Sequence, residues 1–308
     1  MTTGSPPPAS RGSAFLLLAL ATLFWAGNWV LGRALREIFE PNALNLWRWL
    51  IASLALAPFA LPRLRRNLPA LRKSAGLLAV LSFFGVALFQ SLIYYGLKTT
   101  TTVNAVLLNS SFPAFMLLCS WAIDRERGTP RQVAGMLISL AGIAIILARG
   151  DVASLARLEL HSGDALILLA MPVWGVYSVL LKRRPAELDG IVFLFAISTI
   201  GVALLLPAFA VEAWFAPPRW PGAEGIAAVL YVGLAASVGA FICWNRGVAI
   251  LGANTAGFTI HLLPAFGTLL AIVFLGESFR AFHALGIAAI LAGVVVATRP
   301  VAPRQGAV

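Results

Sequence analysis

The chain has 308 residues, 60% of them hydrophobic and only 11% charged, with a formal net charge of +11. Soluble domains carry about 25% charged residues, and a water-soluble fold of this length has no interior large enough to hide so much apolar surface. The composition excludes an ordinary soluble domain and points to an all-α membrane protein with ten transmembrane helices.

Residues 1–13, "MTTGSPPPASRGS", are polar and expected to form a disordered cytoplasmic N-terminus. Ten apolar blocks follow at about 14–35, 42–61, 75–97, 101–123, 130–148, 162–181, 190–211, 224–245, 253–275 and 281–298. Each is near the roughly 20 residues needed to cross hydrocarbon as a helix, and too long for a barrel strand. Helices satisfy their own backbone in lipid, so ten helices fit. The first apolar run exceeds the roughly 7–15 residues of a signal-peptide core and is expected to be retained.

Taken in order, the first block carries Thr22, Trp25, Asn28 and Trp29, the last three sharing a helical face. Trp47 and Trp49 begin the second block; with Trp214 and Trp220 they lie near helix ends, where tryptophan anchors at the lipid interface. The third block has Gln90, Ser91, Tyr94 and Tyr95, and the fourth has Thr102, Asn104, Asn109, Ser110 and Ser111 before Pro113. The fifth and tenth have small-residue seams instead, Gly135-Ser139-Gly142 and Gly286-Ala289-Gly293, suited to close helix packing. A linker at 149–161 precedes the sixth block, with Trp174, Tyr177 and Ser178. The eighth offers Ser237, Trp244 and Asn245; the ninth offers Asn254, Thr255, Thr259, His261 and Thr268 around Pro264; a tail at 299–308 ends the chain. Cys119 and Cys243 fall within apolar blocks, so neither a disulfide, a metal site nor a cofactor is suggested.

The charges orient the chain. With the N-terminus inside, 15 of the 23 basic residues fall in cytoplasmic loops or tails, as the positive-inside rule requires. The other eight, Arg33, Arg36, Arg48, Lys98, Arg149, Arg157, Arg219 and Arg280, are assigned outside, balanced there by eight acids. Basic loops beside lipid account for the net charge, so no nucleic-acid partner is implied. Both termini are expected to be cytoplasmic, in a cell inner membrane.

The chain also matches itself. Shifted by 151 residues, Gly96 falls on Gly247, Ala105 on Ala256, "PAF" at 113 on "PAF" at 264, Glu126 on Glu277 and "LAG" at 140 on "LAG" at 291. A shift of 149 puts Trp25 on Trp174 and Arg33 on Lys182. The chain reads as two five-helix halves, 14–148 and 162–298, and an odd number of helices per half makes the second enter from the opposite side. Inverted repeats are characteristic of secondary transporters, with the binding site near the midplane.

The paired patterns "FWAGNW" and "VWGVYS", "YYGLKTTTTVNA" and "WNRGVAILGANTA", and the two Pro-to-Glu blocks resemble the drug/metabolite transporter superfamily in its ten-helix EamA-type branch, over about 14–298. The aromatic content looks like that of YddG-type aromatic amino-acid exporters. The resemblance implies a small-molecule carrier without cofactor. In the small four-helix multidrug relatives a buried glutamate of the first helix exchanges protons; here Asn28 is the most polar group of that region.

The distribution of polar side chains predicts a cavity lined by helices 1, 3, 4, 6, 8 and 9. Trp25, Asn28, Tyr94, Tyr95, Asn109, Ser110, Trp174, Tyr177, Asn245 and His261 are the expected substrate-binding residues. Trp25 and Trp174 are expected to meet across the pseudo-twofold axis as an aromatic wall. Pro113 and Pro264 kink their helices, freeing carbonyls at Asn109 and Ile260 that could receive an ammonium group or only adjust packing. His261 is the one ionisable group expected near mid-span, as a neutral cavity-wall residue or a proton relay. Glu126 and Glu277 are expected to sit against helix N-termini. An electrically neutral cavity suits zwitterions and uncharged metabolites, and the expected function is export of amphipathic metabolites, amino acids with aromatic preference foremost. The alternatives are proton-coupled multidrug efflux and an intramembrane enzyme with a Ser110–His261 dyad.

Overall fold

A computed structural model describes residues 10–148, 159–218, 221–275 and 279–299. Glu277, Trp220, residues 1–9 and 300–308 of the tails and most of the linker, to which sequence expectations attach, lie outside the described residues, while the first helix begins at Arg11, inside the stretch 1–13 expected to be disordered. Among the described residues the chain is all-helical, with nine helices long and apolar enough to cross a membrane and a tenth, interrupted segment between the last two of them. These are α1 (Arg11–Ala34), α2 (Pro41–Lys73), α3 (Ala75–Thr99), α4 (Thr102–Asn109 and Phe112–Asp124) and α5 (Pro130–Ala148). The second set is α6 (Ser162–Leu181), α7 (Gly190–Phe215), α8 (Gly222–Leu251), α9 (Ala253–Phe258 to Leu262–Leu275) and α10 (Ala281–Thr298).

Local chemistry sets the ends. Ser10, Thr101 and Asp189 accept backbone N–H groups of the first turns of α1, α4 and α7, satisfying donors that a helix start leaves open. Arg125, at φ 59°, stops α4, and Gly252, at φ 81°, turns the chain from α8 into α9. The second span is longer than its apolar block: α2 runs on through Pro58, Pro62 and Pro69 to Lys73. Arg63, Arg65, Arg66 and Arg72 therefore stand on a helix and not in a loop.

The packing follows the inversion. The α3–α6 pairing is matched by α8–α1, and α4–α6 by α9–α1, while α2 pairs with α7 and α5 with α10. Each of these pairings maps onto another, or onto itself, when each helix is exchanged for the one five places along. Arg11 Nη2 reaches the Thr298 carbonyl at 3.5 Å, so α1 begins where α10 ends. α6 begins at the opposite end, where Asn104 Nδ2 donates to the Glu159 carbonyl at 2.8 Å.

The α5–α10 seam is tight because it is built of small residues. A Cβ on Gly142 would stand 2.6 Å from the Gly286 carbonyl oxygen, and one on Gly135 2.5 Å from that of Gly293. Two further irregularities occupy matching places in the halves: α3 widens to a π-helix at Phe83–Leu88, and α8 does so at Val232–Gly239.

Candidate functional site

Trp25 of α1 and Trp174 of α6 meet at the centre with ring centroids 5.3 Å apart, edge to face. Trp244 lies 5.2 Å from Trp25, Phe241 5.3 Å from Trp174, and Phe89 4.8 Å from Trp174. Tyr177 stacks on Trp174 from below at 4.7 Å. Against these rings lies a crevice of about 30 Å³ lined from α1, α3, α4, α6, α8 and α9, the six helices expected to line it. Its polar lining is Asn28, Gln90 and Asn109. That volume has room for only about two waters, so the rings are closed on one another in this conformation.

Behind the crevice runs a relay that the sequence did not disclose. Arg48, assigned from sequence to the outer flank, is 1% exposed and buried between helices. Its Nε donates to Ser237 Oγ at 2.8 Å, Nη1 to Tyr94 Oη at 3.2 Å and Nη2 to the Ala236 carbonyl at 3.3 Å. Tyr94 donates onward to Asn28 Oδ1 at 3.0 Å, and Trp25 Nε1 donates to the same Ala236 carbonyl at 3.0 Å. The π turn of α8 leaves that carbonyl available to two side chains. One turn earlier on α2, Asn45 Nδ2 donates to the Val86 and Ala87 carbonyls in the π turn of α3, at 3.1 and 3.2 Å. The expectation of purely neutral surroundings is thus corrected: a guanidinium stands directly behind the aromatic wall. Trp49 is corrected with it, being 0% exposed and packed on Phe241 at 4.8 Å, while Trp47 and Trp214 are exposed as interface residues should be.

The remaining expected residues divide. Asn109 lines the crevice at the break in α4, and Pro113 has no N–H to return to its carbonyl. Pro264 follows a 3-10 turn, Thr259–His261, with Ile260 on the crevice. Tyr94 backs Asn28, and Tyr177 donates to Asn245 Oδ1 at 2.9 Å; both tyrosines stand one layer behind the lining. Tyr95 does not face the crevice: it is 38% exposed and donates to Glu212 Oε2 at 2.7 Å. The Glu212 carboxylate also accepts the Asn42 and Ala43 N–H groups, capping α2 from α7.

His261 is also off the crevice. It is buried in the seam of α4, α5 and α9, with Nδ1 2.7 Å from Ser139 Oγ and Nε2 2.9 Å from the Ser110 carbonyl. A carbonyl can only accept, so Nε2 carries a proton. The Ser110 hydroxyl points elsewhere, donating to the Val106 carbonyl at 2.7 Å. The imidazole therefore touches no nucleophile oxygen of Ser110, and the dyad geometry is not formed.

The two ends of the molecule differ. At the end bearing the termini, Lys182 of α6 pairs with Asp124 at 2.6 Å and Glu126 at 2.9 Å below α4. Arg183 joins Asp124 at 3.1 Å, and Asn254 of α9 reaches Glu126 at 3.4 Å. Burial lowers the Lys182 pKa, but hydrogen bonds to Asp124 and Glu126 outweigh it and hold the ammonium above the ordinary lysine value. Glu126 is thus a partner in this cluster, and not a cap on the helix after it. The opposite end opens into a cavity of about 1120 Å³ between α2, α7 and α8, with Arg36, Glu40, Lys98 and Glu212 on its rim.

With that architecture in place, comparison with known proteins is informative. The family model described as the EamA-like transporter family matches residues 12–148 and again 161–299. The chain belongs to this family. An uncharacterized transporter of Archaeoglobus fulgidus is 30% identical over 284 residues, spanning 92% of this chain and 96% of that one. A protein of Streptantibioticus cattleyicolor named as a probable terminal-alkyne amino-acid exporter is 28% identical over 290 residues, spanning 92% of each chain. A crystal structure at 25% identity superposes with a TM-score of 0.72 over 94% of this chain and 97% of that one. This EamA-like chain is accordingly a multi-pass transporter of the cell membrane.

Proposed function

We propose that this transporter exports small amphipathic metabolites, foremost amino acids with hydrophobic or aromatic side chains, by alternating access around the central crevice. The observation that carries the reading is the crevice itself. Tryptophan and phenylalanine rings line it together with the amide groups of Asn28, Gln90 and Asn109, and both halves contribute, Trp25 meeting Trp174. Aromatic faces bind an apolar side chain, and a few placed polar groups fix the remainder. The interrupted backbones of α4 and α9 beside it are the discontinuous helices that transporters use at midplane sites.

In this reading both termini are cytoplasmic. The Lys182 cluster closes the cytoplasmic end, and the large cavity is the outer vestibule. Flux follows the substrate gradient. The amino-acid exporter named for the Streptantibioticus relative supports the substrate class.

The test is counterflow in proteoliposomes with radiolabelled phenylalanine and a panel of other amino acids. Uptake against preloaded unlabelled substrate, lost in Trp25→Ala and Trp174→Ala, is the expected result. No counterflow with any amino acid would remove the proposal.

A further inference from the structure

The side of the crevice nearest Arg48 is rich in hydrogen-bond donors. Three of the five guanidinium N–H groups are used, all on uncharged oxygens, and none of the ion pairs among the described residues includes Arg48. A charge inside a membrane protein is costly and by default marks a functional site with a partner to be named. Because Arg48 donates to Tyr94 and Tyr94 donates to Asn28 Oδ1, the relay has one polarity. It occupies the acceptor of Asn28 and leaves that amide's N–H groups as what the side chain offers the crevice.

Gln90 gives the independent indication. It sits one turn before Tyr94 on α3, is 6% exposed and lines the crevice, and its buried Nε2 makes no hydrogen bond of normal geometry, only a weaker contact with the Tyr94 hydroxyl. A buried amide with an N–H left under-satisfied costs free energy that an acceptor on a ligand would recover. Asn109 and Ile260 also line the crevice, at the two helix interruptions, and there the Asn109 carbonyl facing Pro113 has lost its usual donor.

We propose that the Gln90–Asn28 side is the carboxylate subsite of the crevice, with Arg48 as a positioning residue whose charge, passed through Tyr94, favours an anion there. This rests on the amino-acid reading above and adds to it a requirement: the substrate is a carboxylic acid, and its decarboxylated amine is rejected. Asn28 and Gln90 touch the carboxylate. Arg48 polarises the tyrosine that holds Asn28.

The experiment is counterflow of phenylalanine and phenethylamine by wild type, Gln90→Glu, Tyr94→Phe, Arg48→Lys and Arg48→Gln. Wild type is expected to carry phenylalanine and reject phenethylamine. Gln90→Glu, which places a carboxylate against the substrate's own, is expected to raise the phenylalanine KM by about tenfold or more, the scale of losing a hydrogen bond to a charged group. Tyr94→Phe keeps the ring and cuts the relay, and should raise KM with Vmax held. Arg48→Lys should retain more affinity than Arg48→Gln. A purely structural role would lower Vmax or yield for every variant and leave KM and the acid-over-amine preference untouched.

If wild type carries phenylalanine and phenethylamine alike, or if Gln90→Glu and Tyr94→Phe keep the wild-type KM, the carboxylate subsite is overturned while the amino-acid reading stands. If no amino acid is carried, both fall.

Discussion

Replacing Lys182 with methionine removes the one cation that bridges α6 to both acids below α4, at 2.6 and 2.9 Å, while keeping the length of the side chain. The side chains are 25% exposed for Lys182, 20% for Asp124 and 50% for Glu126. Water therefore screens these pairs, and each is worth about 0.2–1 kcal/mol. Together they favour the closed terminal end by about 1 kcal/mol, which corresponds to roughly a fivefold change in the ratio of closed to open molecules. Cys119 reports on that ratio: it is 8% exposed and its Sγ lies 3.6 Å from the Pro172 carbonyl, between α4 and α6. In a Cys243→Ser background, maleimide labelling of Cys119 in proteoliposomes should run about fivefold faster in Lys182→Met than in wild type. Lys182→Arg should stay near wild type. Equal rates in wild type and Lys182→Met would refute the assignment of this cluster as the contact that closes α4 on α6.

Because the Lys182 pKa is raised, its contribution is fully present below the ordinary lysine value and is lost only as pH climbs through the raised one. The labelling ratio between Lys182→Met and wild type should therefore stay constant from about pH 6 to 9. His261→Ala should orphan the Ser110 carbonyl, leaving Ser139 its bond to the Gly135 carbonyl, and cost about 1–3 kcal/mol, read as a lower melting temperature in detergent, with substrate KM unchanged. Gly142→Leu should abolish stable folding because its Cβ alone would lie 2.6 Å from the Gly286 carbonyl oxygen, whereas Gly76→Ala, with nothing within 4 Å, should be neutral or slightly stabilising. Both are measured by thermal unfolding. Trp174→Ala should cost about 3–5 kcal/mol by emptying the aromatic cluster, and Trp174→Phe markedly less.

The ten spans and their inversion could be read in advance because each depends on a summed property, apolar length or a long register of matches, that no single residue can upset. The polar-stripe argument found the six lining helices for the same reason. Individual side chains were harder. Tyr94 and Tyr95 were both expected at the site, yet neighbours on a helix lie about 100° apart, and only Tyr94 turns inward. His261 fell on Ser110 in the repeat, but the 3-10 turn at Thr259–His261 has fewer residues per turn than an α-helix, so helical phase fails there. Arg48 stood near the start of its block, where arginines usually reach out to headgroups. Its burial depends on Tyr94 and Ser237, partners 46 and 189 residues away, and sequence spacing carries no trace of them.

The two π turns have a consequence for how the protein moves. A wide turn holds one residue more than the ladder around it needs, so the chain can bend there by passing a bond between neighbouring carbonyls without breaking the rod. One such soft joint lies in each half, at matching positions of the repeat, and α2 grips both through Asn45 and Arg48. Flexing one joint would therefore load the other through a single rod.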